Sequence, residues 1–155
     1  PMVNASWQGD HILQFASIDI GLAVDLGNGL ITPVVRNCAN KGIVQIDAEM
    51  KALIDKVREN KLSPEEYSGA TFSISNLGSF GIEEFTAIIN PPGSAILTLG
   101  EVRKEAVVGD DDEISISKMM HMIVSCDHRV IDGAEGGRFL KDLKDLMENP
   151  IRLIY

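Results

Sequence analysis

A layered α/β or α+β domain is the architecture this sequence predicts, on three observations. Several short apolar stretches alternate with period two, as half-buried strands do. Two long stretches carry apolar residues at helical spacing, and clusters of Gly, Asn, Asp and Pro separate the segments. The 155 residues suit one domain that buries a core without disulfide or metal staples. With 45% apolar and 24% charged residues the composition is that of a globular protein. A net charge of −9, with no offsetting basic stripe, argues against a nucleic-acid partner. The longest apolar runs fall far short of a membrane span, and the first residues lack a signal-peptide layout. Cys38 and Cys126 have no C-x-x-C spacing, which indicates neither a zinc site nor a disulfide framework and suits a reducing compartment.

Pro1–Asp10 shows no period. Phe15–Asp25 alternates as a strand with Ile18, Ile20, Leu22 and Val24 on one face, and Leu30–Val35 returns after a Gly27-Asn28-Gly29 turn. Pro33 marks that second strand as an edge or an interruption. Asn40–Asn60 is predicted as a helix, its apolar stripe being Ile43, Ile46, Met50, Leu53, Ile54 and Val57. Ser63-Pro64-Glu65-Glu66 fits a capped turn. Thr71–Ser75 alternates as a strand that Asn76-Leu77-Gly78 breaks, Asn90–Gly93 is a turn, and Ser94–Val102 is an apolar strand. The acid run Gly109–Asp112 is a solvated turn, since it lacks the alternating ligands and distal Glu of a calcium loop. Ile114–Val124 is a further strand. A final helix over about Gly133–Glu148 carries Phe139, Leu140, Leu143, Leu146 and Met147 as its stripe, with small residues at Gly133, Ala134, Gly136 and Gly137 that admit close approach of another backbone. Asn149-Pro150 stops it, leaving the apolar tail Ile151–Tyr155.

The chemistry concentrates in Ser125–Gly133, S-C-D-H-R-V-I-D-G. If the preceding strand runs on, Met120, Met122, Val124, Cys126 and His128 share a face, and His128 ends an apolar row. Asp132 fits an N-cap that Glu135 completes as a capping box. An imidazole at a strand end beside a helix N-terminus is placed for proton transfer. On pattern alone a lone His on an apolar strand face is more often a hydrogen-bonded core residue than a catalyst, and a plain N-cap suits Asp132 at least as well as a place in a site. A Cys126–His128 nucleophile pair is geometrically conceivable. A metal site from His121 and His128 is not, because seven residues apart on a strand they face opposite ways.

Thr71–Gly100, T-F-S-I-S-N-L-G-S-F-G-I-E-E-F-T-A-I-I-N-P-P-G-S-A-I-L-T-L-G, resembles the dihydrolipoamide acyltransferases of 2-oxoacid dehydrogenase complexes. The resemblance extends through Asn4-Ala5-Ser6-Trp7, Gly29–Pro33, S-C-D-H-R-V-I-D-G and the closing N-P-I-R-L, so it covers essentially the whole chain. It implies a chloramphenicol acetyltransferase-like fold, a mixed sheet with helices. It implies trimers that build a hollow core of twenty-four or sixty subunits, which works with decarboxylase and dihydrolipoamide dehydrogenase components. The implied reaction moves an acyl group from dihydrolipoyl sulfur to the thiol of coenzyme A; both are substrates, and no metal is involved. S-C-D-H-R-V and I-N-P-P-G-S-A-I-L look most like the acetyl-transferring, pyruvate branch. By resemblance His128 is the general base, Ser75 donates a hydroxyl to the oxyanion, and Asp132 helps hold the site. The histidine and serine then come from neighbouring subunits. Residues that bind coenzyme A are not identified by the motifs.

The resemblance begins partway into the catalytic domain. Residues 1–155 are therefore expected to be a partial catalytic domain, N-terminally truncated, without lipoyl and peripheral-subunit-binding domains. The N-terminal arginine expected to meet Asp132 is also absent from these residues. The alternative carried from the sequence is a non-catalytic structural core or binding-protein-like subunit of the same fold. The expected compartment is bacterial cytoplasm or mitochondrial matrix, according to lineage.

Overall fold

The computed structural model describes residues 1–27, 29–109 and 111–153. Its centre is a five-stranded mixed sheet of β3 (Ile20–Leu22), β6 (Val34–Val35), β7 (Phe72–Asn76), β8 (Ala95–Leu99) and β11 (Met122–Cys126), in the order β11-β8-β7-β3-β6. The inner strands β3, β7 and β8 are parallel, and both edge strands run antiparallel to them. Three hairpins stand around it: β1 (Ala5–Trp7) with β2 (Ile12–Gln14), β4 (Val24–Asp25) with β5 (Leu30–Ile31), and β9 (Arg103–Val108) with β10 (Ile114–Met119). Among the described residues no helix is long and apolar enough to cross a membrane.

Alternation along the strands sorts the sheet into two faces. Ile20, Phe72, Ile74, Leu97, Leu99, Met122, Val124 and Cys126 lie under α2 (Gly133–Glu148), which presses Phe139, Leu140 and Leu143 onto them. The rings of Phe72 and Phe139 meet at 5.6 Å between centroids in a tilted pair. On the other face Ser73, Ile96 and Thr98 are buried, and the Thr98 hydroxyl donates to the carbonyls of Phe85 (2.7 Å) and Ile123 (3.2 Å). The second long helix, α1 (Ile43–Arg58), packs on the edge strand β6.

The layered α/β class, both long helices, the Pro33 interruption at an edge strand and the capping box at Ser63 are as expected. Four details differ. Pro1–Asp10 is ordered, because Ala5 is fully buried and β1 pairs with β2. Ile114–Val124 is two strands: β10 leaves with its hairpin partner, and the chain turns at Met120-His121 before joining the sheet. The α1 stripe is buried only at Leu53 and Val57, while Ile43 and Val44 face solvent. The glycines at the start of α2 admit no backbone within this chain; a Cβ at Gly133 or Gly137 would meet nothing within 4 Å. The close crossing lies instead at Gly100, where a Cβ would sit 1.7 Å from the Glu83 carbonyl oxygen. Asn28, Asp110, Ile154 and Tyr155, which belong to the expected turns and tail, lie outside the described residues.

Candidate active site

His128 does not end the strand row. β11 stops at Cys126, and the chain bends through a turn that leaves His128 exposed. The bend has a local cause. The Asp127 amide adds one more rung to the ladder with β8, donating to the Ser94 carbonyl (2.8 Å), but the Asp127 carbonyl accepts from the amides of Val130 (2.9 Å) and Ile131 (3.0 Å) and closes a turn. Val130 and Ile131 are then driven into the core, 8% and 1% exposed, which pins the far side of the turn. The Asp127 carboxylate accepts from the Arg129 amide (3.0 Å), its Nε (2.9 Å) and its Nη2 (2.6 Å), and the guanidinium holds that carboxyl below its usual range.

Asp132 caps α2, its Oδ1 accepting from the Glu135 amide at 2.8 Å. The capping box is not completed, since the Glu135 carboxylate turns to Arg138 at 2.7 Å. The Glu135 amide, with help from the Ala134 amide and the charge of Arg138, keeps the Asp132 carboxyl below its ordinary value. Asp132 is therefore an anion at neutral pH, four residues beyond the histidine.

Cys126 faces α2, with a Cβ on Gly136 falling 3.8 Å from its sulfur, and burial pushes its thiol pKa up. That orientation corrects the expected shared face with His128, and it removes the nucleophile pair: the sulfur points into the core while the imidazole stands outside it. His121 sits at the opposite end of β11, 3.7 Å from both Glu83 and Glu84.

Ser75 is half-buried on β7, in a row with Thr98 of β8 and Ile123 of β11. His128 lies five residues past Ile123. β11 itself ends at Cys126, about 10 Å along the strands from the Ser75 row, with two strand spacings of about 4.8 Å to the side. Ser75 and the turn that carries His128 thus lie toward opposite ends of one sheet. At the Ser75 end a cleft of about 670 Å³ opens, lined by Leu22, Asp25, Asn76, Gly78, Gly100 and Met120 among others.

The family model of the 2-oxoacid dehydrogenases acyltransferase catalytic domain matches residues 1–155. This chain belongs to that acyltransferase family. The chain is 50% identical over 156 residues to the dihydrolipoyllysine-residue acetyltransferase component of the pyruvate dehydrogenase complex of Rickettsia bellii, covering all of this chain and 37% of that protein. It spans just over a third of that relative's length. Its fold matches the cubic core of the pyruvate dehydrogenase multienzyme complex with a TM-score of 0.94 at 36% identity, over 100% of this chain and 64% of that one. It also matches the dihydrolipoamide acetyltransferase of Azotobacter vinelandii with a TM-score of 0.93 at 37% identity, over 100% and 64% of the two chains. The Azotobacter structure was determined to investigate a serine, a histidine and an asparagine in the catalytic mechanism. In that protein the asparagine follows the histidine by four positions, and the serine precedes it by fifty-two. In this chain Asp132 follows His128 by four, and Ser75 precedes it by fifty-three.

The asparagine in the Azotobacter protein bears on Asp132, because Asn and Asp cap helices about equally well. Asp132→Asn is expected to keep the melting temperature at pH 7, whereas Asp132→Ala lowers it. The folded-state carboxyl pKa is depressed, so Asp132 contributes stability above its unfolded value of 3.8. The gap between native protein and Asp132→Ala should therefore be full at neutral pH and shrink as pH falls through the folded value. Thermal melts across pH check both statements.

The sequence reading did not single out Arg129 and Trp7, which bracket the His128 turn. The acid–x–base spacing of Asp127 and Arg129 across a turn was the available signal.

Proposed function

We propose that this acyltransferase transfers an acetyl group from acetyl-dihydrolipoyl sulfur to coenzyme A, in the core of a pyruvate dehydrogenase-type complex. The observation that carries this is the exposed His128 on its anchored turn, with Asp132 four residues on and Ser75 at the Azotobacter spacing to within one residue. The neutral His128 imidazole accepts the coenzyme thiol proton. The thiolate attacks the thioester carbonyl, and the Ser75 hydroxyl donates to the oxyanion that forms. Collapse breaks the carbon–sulfur bond to dihydrolipoyl, whose thiolate takes the proton back from His128. No acyl-enzyme arises, because the coenzyme supplies the nucleophile. The residues that hold coenzyme A are left unassigned.

The placing of Ser75 and the His128 turn toward opposite ends of the sheet supports a site that uses His128 of one copy and Ser75 of the next. A trimer satisfies this in a closed ring, and trimers assemble into a cubic or dodecahedral core. Exposed apolar surface supports association: Val108, Ile114 and Ile116 on one face of the β9–β10 ribbon, and Ile151 and Leu153 in the tail. The decarboxylase and dihydrolipoamide dehydrogenase components are the partners in this proposal. Curated relatives are both bacterial and mitochondrial, so the place of action is the cytoplasm or the mitochondrial matrix.

A coupled assay of acetyl transfer from acetyl-dihydrolipoamide to coenzyme A, with assembled particles, tests the activity. Turnover dependent on both substrates is expected. Correctly assembled particles without transfer would instead mark a structural core subunit.

A further inference from the structure

We propose that Arg129 and Trp7 are positioning residues that hold the His128 turn in its working geometry, an inference that rests on His128 being the base. The Arg129 guanidinium and the Asp127 carboxylate join across His128, so the residues on either side of the imidazole are clamped to each other. The fork geometry of arginine makes this clamp possible, since Nε and Nη2 bond the carboxylate together.

The clamp is held in turn from the N-terminal hairpin. The Arg129 guanidinium lies 5.8 Å from the centroid of the Trp7 ring, within cation–π range. Trp7 closes β1, whose Ala5 is fully buried in the same cluster as Val130 and Ile131. One end of the hairpin is therefore rooted beneath the turn, and the other presses on it from outside. Between them is a cavity of about 250 Å³ lined by Ser6, Trp7, Pro91, Pro92, Ser94 and Arg129, among others. The buried Ser94 hydroxyl has no hydrogen-bond partner among the described residues. Without the clamp the turn has room to sag into that space, carrying His128 off its line to the thiol.

The test uses assembled particles and five variants, His128→Ala among them. Arg129→Met and Trp7→Leu are expected to lower kcat about 10- to 100-fold, the loss for a base displaced by about 1 Å. A positioning role predicts a change of less than about threefold in KM for coenzyme A. The Arg129 side chain is 62% exposed, so its removal leaves the core intact and the melting temperature near native. Arg129→Lys, without the fork, should not restore kcat. Trp7→Phe, which keeps a ring face, should recover most of what Trp7→Leu loses. The His128 ring resonances of Trp7→Leu should shift or broaden.

Native kcat in both Arg129→Met and Trp7→Leu, with His128→Ala inactive, would overturn the positioning role and leave the base standing. Equal turnover in His128→Ala and native particles would instead remove the base assignment. Positioning is then judged by the spectra, and unchanged His128 resonances in Trp7→Leu would overturn it.

Discussion

Replacing His128 with alanine should lower the turnover of acetyl transfer by ~10²–10⁴, the range for losing a positioned general base. The coenzyme thiol, with a pKa near ~8.5, is mostly protonated at neutral pH and needs an acceptor as it attacks. Water can take that role only without being held in place. Binding should be little altered, so the loss belongs in kcat and in kcat/KM alike. Stability should be unaffected, because His128 is exposed while the neighbouring Val130 and Ile131 supply the buried anchors. A melting curve that matches the native one, alongside collapsed turnover, separates a chemical role from a structural one.

Ser75→Ala should cost ~10²–10³ in turnover, as for one oxyanion donor, or about 2.7–4 kcal/mol of transition-state stabilisation. The hydroxyl is needed only once charge has gathered on the carbonyl oxygen, so KM should hardly move. The strand should survive, since β7 is fixed by its parallel neighbours β3 and β8 and by the burial of Phe72 and Ser73. Steady-state kinetics check the value directly. A rise in KM at constant kcat would place Ser75 in ground-state binding instead.

Pattern alone was enough for α1 and α2, which carry apolar residues at helical spacing, for β7, which alternates, and for β8, which is a short apolar run. It failed where tertiary pairing overrides local pattern. Pro1–Asp10 has no period, yet β1 is ordered by pairing with β2 and by burial of Ala5 against Val130 and Ile131. The run Ile114–Val124 looks continuous, but Met120 and His121 make the step from ribbon to sheet. At the candidate site the motif indicated which residues matter but not how they stand. The strand face assigned to His128 was wrong, because the Asp127 carbonyl accepts from the Val130 and Ile131 amides and the chain turns before alternation reaches His128. The separation of Ser75 from His128 depends on sheet order and strand direction, which no short motif encodes.

That separation leads to a direct test of a site shared between copies. His128→Ala and Ser75→Ala chains, each nearly inactive, are co-expressed, and mixed particles are isolated through two different tags. If each site draws its imidazole from one copy and its hydroxyl from the next, about one site in four is intact in a randomly mixed ring. Mixed particles should then recover about a quarter of native turnover. Mixed particles no more active than either variant alone would contradict the account.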